Sequence, residues 1–187
     1  MVRQSWDASC ESFPLRLLGN RAALLLMMED DYKTINYRGG ILNFRIPASW
    51  KEEYEPQGGG TFYEDTPDSG TLRLNVMTAK APMPITLESA PDILAGLVRS
   101  SADPEPLANN CALVRYEQRA EEQGQPLHIT HWSVAQPLPP SHARIATFSY
   151  TMRAHQRNDP QLMAEVDMLD REIRAVTFYP ALTDSSQ

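Results

Sequence analysis

Chemistry in this chain would have to come from few side chains. It has 4 histidines and 2 cysteines in 187 residues. His128 and His131 stand closest together, three positions apart. On a helix that spacing would set both rings on one face, where a metal could bridge them. Their neighbours Leu127, Ile129, Trp132 and Val134 have the character of a strand, and there an odd spacing sends the two rings to opposite sides. No metal and no cofactor are expected. His142 and His155 stand near strand ends and read as solvated. Cys10 and Cys111 form no Cys-x-x-Cys pair, which excludes a zinc ribbon and a thioredoxin-type motif. Cys111, beside Ala112, Leu113 and Val114, reads as a small buried hydrophobe. Two unpaired thiols favour a reducing, cytoplasmic setting, with export as the minor alternative.

The most unusual segment runs from Gly58-Gly59-Gly60 through Thr61-Phe62-Tyr63-Glu64-Asp65 to Thr66-Pro67-Asp68-Ser69-Gly70. A glycine run can cradle phosphate, but neither the Lys nor the helix of a P-loop follows, and the acids would repel an anion. Glu64, Asp65 and Asp68 lack the spacing and terminal Glu of an EF-hand. The plain reading is a hairpin with turn-forming residues at its bend. No Gly-x-Ser-x-Gly occurs, and acid pairs such as Glu52-Glu53 and Glu121-Glu122 read as solvated faces. Tyr54 and Tyr63 flank the glycines, where no Cβ hinders the approach of another chain. Tyr54, Gly58, Gly59, Gly60, Tyr63, Glu64, Asp65 and Asp68 are therefore the candidate interaction residues, with the acids orienting a basic partner.

Composition narrows the class. Hydrophobic residues make up 42% and charged residues 22%, ordinary values for a folded domain. Lys and Arg number 17 against 24 Asp and Glu, a formal charge of -7. A nucleic-acid binder needs a basic surface, so nucleic acid is not an expected partner. Residues 1–29 show no sustained period and read as an N-terminal extension, weakly structured or reflecting a start at Met27 or Met28. The apolar run Ala22 to Met28 is 7 residues long, against about 20 needed to span a bilayer. Residues 30–180 read as a single α+β domain and residues 181–187 as a frayed tail.

The elements that would position these residues alternate in kind. Leu42, Phe44 and Ile46 share one face of a strand, after Gly39-Gly40 and a hairpin partner at residues 33–37. Residues 50–55 and 61–64 read as short strands. Leu72, Leu74, Val76 and Thr78 oppose Arg73, Asn75 and Met77 on a longer one. Ser89 starts a helix with Asp92 three on and a stripe of Ile93, Leu94, Leu97 and Val98. Residues 113–121, 127–135 and 144–153 read as three strands, with Pro137, Pro139 and Pro140 in the second connection. In the last of these strands Ala146, Phe148, Tyr150 and Met152 oppose Ile145, Thr147, Ser149 and Thr151, so both faces look coverable. Asp159 and Pro160 open a final helix with Leu162, Val166, Leu169, Ile173 and Val176 on its stripe and Glu165 off it. Hairpin-length connections imply an antiparallel twisted sheet flanked by helices.

The run Leu42-Asn43-Phe44-Arg45-Ile46-Pro47-Ala48-Ser49-Trp50 resembles the opening of PsbP-like domains. Trp132-Ser133-Val134-Ala135, the strand from Arg144 to Tyr150 and the closing helix follow in the same order, so the resemblance spans residues 32–180. That superfamily includes the plant photosystem II extrinsic protein, a Ran-binding nuclear import factor and several bacterial domains. It implies an α/β/α sandwich around an antiparallel sheet, members that mostly bind proteins, and no catalytic residue to carry over. Some bacterial relatives act as chaperones or accessory factors for secreted effectors. The expected function is a non-enzymatic protein-interaction or accessory module with a protein partner. The competing expectation is a small-ligand binder or enzyme with a pocket between sheet and helices.

Overall fold

The computed structural model describes residues 31–98 and 100–179. The readings made for residues 1–29 and 181–187 lie outside the described residues. Tyr32–Tyr37 (β1) and Leu42–Pro47 (β2) form an antiparallel hairpin, joined on its other side by Thr177–Phe178 (β10). Lys51–Tyr54 (β3), Gly60–Tyr63 (β4), Thr71–Lys80 (β5), Glu105–Pro106 (β6), Ala112–Glu122 (β7), Gln125–Leu138 (β8) and His142–Arg153 (β9) make a seven-stranded antiparallel sheet. Its order is β3-β4-β5-β9-β8-β7-β6. Helix α1 spans Ala90–Leu97 and α2 spans Pro160–Arg174. The class is α+β, as the alternation implied, but the strands divide between two sheets rather than one.

The two faces of the large sheet are treated differently. Leu72, Leu74, Trp132, Val134, Ala146, Phe148, Tyr150 and Met152 alternate onto one face and are buried under the β1–β2 hairpin and α2. Phe44 meets Phe62 and Phe148 edge-on, with ring centroids 5.3 Å apart in both pairs, the geometry that aromatic quadrupoles favour. Trp50 stacks on Tyr150. The Asp159 carboxylate accepts from the Gln161 and Leu162 N–H groups and caps α2, with Pro160 in the first turn. Its stripe buries Leu162, Val166, Met168, Leu169 and Ile173, each contributing about 1.5–3 kcal/mol. Trp132 Nε1 donates to Asp170 at 2.8 Å, and Arg174 holds the other oxygen of that carboxylate at 2.7 Å.

Among the described residues, the opposite face is covered only at one end. Helix α1 sets Ala90 and Leu94 against Ala112, Val114 and Ala135, while Thr147 is exposed and Ser149 and Thr151 are half-buried. Among the described residues, only part of the second face of β9 is therefore covered.

Three local readings are corrected. Ser89 is the N-cap of α1, but its side chain does not cap the helix; its hydroxyl accepts from the Thr86 N–H instead. A 3₁₀ turn, Leu87–Ser89, precedes α1, and Leu97 of the expected stripe is 55% exposed. Pro137 lies within β8, not in the connection. The β7 ladder ends at the Ala112–Ala135 pair, so the N–H that proline lacks has no strand to meet. Glu165 is not a free surface acid: it accepts a hydrogen bond from the Tyr150 hydroxyl, and burial raises its pKa.

The stripe yields a measurable expectation. Leu169→Ala should cost about 2–5 kcal/mol in urea unfolding, the range for truncating a buried leucine. Met163→Ala, on the exposed side of the same helix, should cost well under half as much. Equal costs would mean that α2 is not docked through this stripe.

Candidate functional site

The hairpin β3–β4 holds the residues singled out from the sequence, and it separates them. Its register sets Tyr54 opposite Gly60 and Tyr63 opposite Lys51, which places the two tyrosines on opposite faces. Tyr54 packs on Phe62 and Tyr37 and donates its hydroxyl to Glu52. Tyr63 donates to Glu53 on the other side. The glycines serve close approach, but by the chain itself. Gly58 and Gly59 have φ of +106° and +120°, which glycine alone adopts readily. A Cβ on Gly58 would lie 2.6 Å from Nη2 of Arg38, and the Gly59 N–H donates to the Tyr37 hydroxyl at 2.8 Å. Gly60 is buried, with the Phe62 ring 2.9 Å from where its Cβ would be. Asp65 pairs with Lys51, and Asp68 with Arg153 at 3.1 Å. The Glu64 carbonyl accepts from the Ser69 hydroxyl. Tyr54, Gly58 and Gly59 thus meet β1 and the adjoining Arg38, and Asp68 meets β9, whereas Tyr63 and Asp65 pair within the hairpin and Glu64 with the turn that follows it.

The histidines also separate. His128 turns to the sealed face, where it lies 3.5 Å from Glu117, with Arg157 on the same carboxylate at 3.1 Å. The three line a hollow of about 390 Å³ with Thr130, Met152, Asn158 and Val166. Burial lowers the pKa of His128, against the pull of Glu117. His131 turns to the open face and stacks on Tyr116 with centroids 4.7 Å apart. Its Nε2 is buried without a partner among the described residues, and burial lowers its pKa. No group of three or more His, Cys, Asp or Glu among the described residues has the placement of a metal site. Burial raises the Cys111 thiol pKa, which leaves it a poor nucleophile.

Sequence reasoning missed a concavity on the open face. Across the open face the register aligns Tyr116, His131, Ser149 and Arg73 in one row and Val114, Ser133, Thr147 and Asn75 in the next. Beside them the end of α1 leaves a hollow of about 720 Å³ floored by Ser133, Ile145 and Thr147. Met77 and Leu97 stand on its walls, 53% and 55% exposed. A second hollow of about 400 Å³ lies under α1 and the segment from Ala79 to Ile85, and it shares Leu97 and Ile145 with the first. The two make one groove along α1, apolar at the α1 end and rich in hydroxyls toward β7. The available signal was Met77, a large apolar residue on the face of β5 otherwise given to Arg73 and Asn75.

No family's sequence pattern matches the chain, and no curated protein matches it. Solved structures do share its fold. A crystal structure from Bacteroides thetaiotaomicron VPI-5482 matches 80% of this chain with a TM-score of 0.55 at 14% identity. This chain spans about half of that protein, 49% of its length. LpqN of Mycobacterium tuberculosis, described as involved in cell envelope biogenesis, matches with a TM-score of 0.53 at 13% identity, covering 80% of this chain and 91% of LpqN. Among the described residues, no helix is long and apolar enough to cross a membrane.

The half-buried His131 imidazole makes stability depend on pH. With its folded pKa below the unfolded value, His131 contributes stability above pH 6.5 that is lost as pH falls below that value. Between pH 7 and pH 5, wild type should therefore lose more stability in urea than His131→Phe. Glu165, whose raised pKa acts in the opposite sense, is common to both proteins and cancels in the comparison. Parallel losses in the two proteins would show that His131 is not held neutral by the fold.

Proposed function

We propose that this chain is a non-enzymatic protein-binding module of PsbP-like type, with an accessory or chaperone-like role, whose partner docks in the groove along α1. The observation that carries the reading is the pair of large apolar side chains, Met77 and Leu97, left exposed on the walls of a concave surface floored by Ile145. Folding has no use for such exposure, whereas a partner's apolar side chain would remove it from water. The formal charge of -7 supports a protein rather than a nucleic-acid partner. A cytoplasmic setting belongs to the same proposal and rests on the unpaired Cys111. The fold shared with LpqN is compatible with an accessory role.

A second reading has its own support. His131, whose Nε2 has no partner among the described residues, stacks on Tyr116, which lines the hollow with Ser133 and Thr147. These polar groups suit a small hydroxylated ligand and favour a ligand-binding use of the same groove.

The test compares two double variants in affinity capture from native extract. Met77→Asp with Leu97→Asp should abolish recovery of the captured partner, with circular dichroism unchanged. Tyr54→Ala with Tyr63→Ala should retain it. Loss with the tyrosine pair and retention with the groove pair would overturn the reading and return the interaction to the hairpin.

A further inference from the structure

The outer side of β7 is the longest stretch of unpaired strand among the described residues. Strand β6 covers it only at Ala112 and Leu113. Residues 114–122 have β8 on one side and no backbone partner on the other among the described residues. The phase of this edge is fixed. The Leu107 N–H donates to the Cys111 carbonyl at 2.8 Å, and Pro106, which has no N–H to give, opposes Ala112. Cys111 and Leu113 thus turn their backbone groups outward, and so, by alternation, do Arg115, Glu117, Arg119 and Glu121.

We propose that this edge pairs antiparallel with the same edge of a second copy of the chain, about a two-fold axis through Gln118. In that register the edge is complementary to itself in charge. The edge reads Arg115-Tyr116-Glu117-Gln118-Arg119-Ala120-Glu121. Folded against itself about Gln118, it sets Arg115 opposite Glu121 of the second copy and Glu117 opposite Arg119 of the second copy. Symmetry repeats both pairs, so every charge on the outward-bonding positions meets its opposite. Tyr116 meets Ala120 of the second copy on the other face, large against small. Gln118 is also the midpoint of residues 114–122, so the pairing uses the whole free edge between β6 and the turn at Gln123-Gly124.

Neighbouring registers are rejected by the same residues. Sliding by two one way brings Glu117 onto Glu117 and Arg115 onto Arg119; sliding by two the other way brings Arg119 onto Arg119 and Glu117 onto Glu121. Like charges directly opposite each other destabilise a strand pair. A slide by one sets outward backbone groups against inward ones. Charges on an edge normally deter pairing, but here their signs alternate in an order that is its own complement. Arg119 and Glu121 are exposed and make no ion pair within their own chain among the described residues, so they are available for a second copy. The groove along α1 remains on the open face of each copy, so dimerisation does not depend on the function proposed above.

Sedimentation of the full chain at roughly 100 μM, where an interface of this modest size is populated, should show a dimer that weakens with salt. Arg119→Glu and Glu117→Arg should each raise the dimer dissociation constant at least about tenfold, because each makes two like-charge pairs. Mixed one to one, the two variants should recover a heterodimer of wild-type strength. One copy then carries acids at both positions and the other carries arginines at both, so each acid again meets a base. Arg119→Pro provides a control that does not touch the Glu117 contacts with His128 and Arg157. Its lost N–H points outward, so it should fold and remain monomeric. A monomeric wild type, undiminished dimerisation of Arg119→Glu or Arg119→Pro, or no recovery on mixing would each overturn the proposal.

Discussion

The contact on which the rest of the structure depends is the meeting of Phe44 with Phe62 and Phe148. Phe148 belongs to β9, which lies between β5 and β8 in the sheet, and Phe44 belongs to the separate hairpin. Their edge-on packing pins the hairpin over one face and leaves room beside it for α2. Arg45 on the outward side of β2 then makes a bidentate pair with Glu172 of α2, both distances 2.9 Å. That pair is exposed and contributes little energy by itself. It aligns two elements already held by the burial of Leu162, Val166, Leu169 and Ile173.

One consequence is an asymmetric sheet. The sealed face takes the hairpin, α2 and nearly all the large side chains. Among the described residues the other face has one helix, 8 residues long and anchored by Ala90 and Leu94. A helix that short cannot roof a seven-stranded sheet, since 8 residues span only about 12 Å. The uncovered part keeps Thr147, Ser149, Arg73 and Asn75, residues that tolerate water, while Met77 and Leu97 interrupt that polar surface. A groove and an open β7 edge both arise from the same shortage of covering elements.

How much of this the sequence disclosed depended on whether the signal was local. Alternation at Leu42, Phe44 and Ile46, and in β9, identified strands and their buried faces, because period two is a property of the strand itself. The cap at Asp159 and the spacing from Leu162 to Ile173 located α2 for the same reason. What could not be read was which face each strand would present to which layer. Tyr54 and Tyr63 flank the same glycines in sequence, yet the register of a hairpin of two four-residue strands puts them on opposite sides. Glu165 lies off the apolar stripe, yet its carboxylate reaches Tyr150, a residue 15 positions away in sequence on β9. The glycines were read as leaving room for another chain; within the fold Arg38 and Tyr37 lie against Gly58 and Gly59, a long-range contact that the sequence does not show. The groove was hidden because its walls come from β5, α1 and β7, segments with no sequence proximity.

The central claim is that the large sheet has one sealed and one open face, and methionine oxidation tests it most directly. Met77 lies on the open face with 53% of its surface exposed, whereas Met152 on the sealed face is 3% exposed and Met168 of α2 is 5%. Under mild peroxide, with sites resolved by peptide mass spectrometry, Met77 should oxidise rapidly while Met152 and Met168 wait for global unfolding. Comparable rates at Met77 and Met152 in the folded protein would contradict the account.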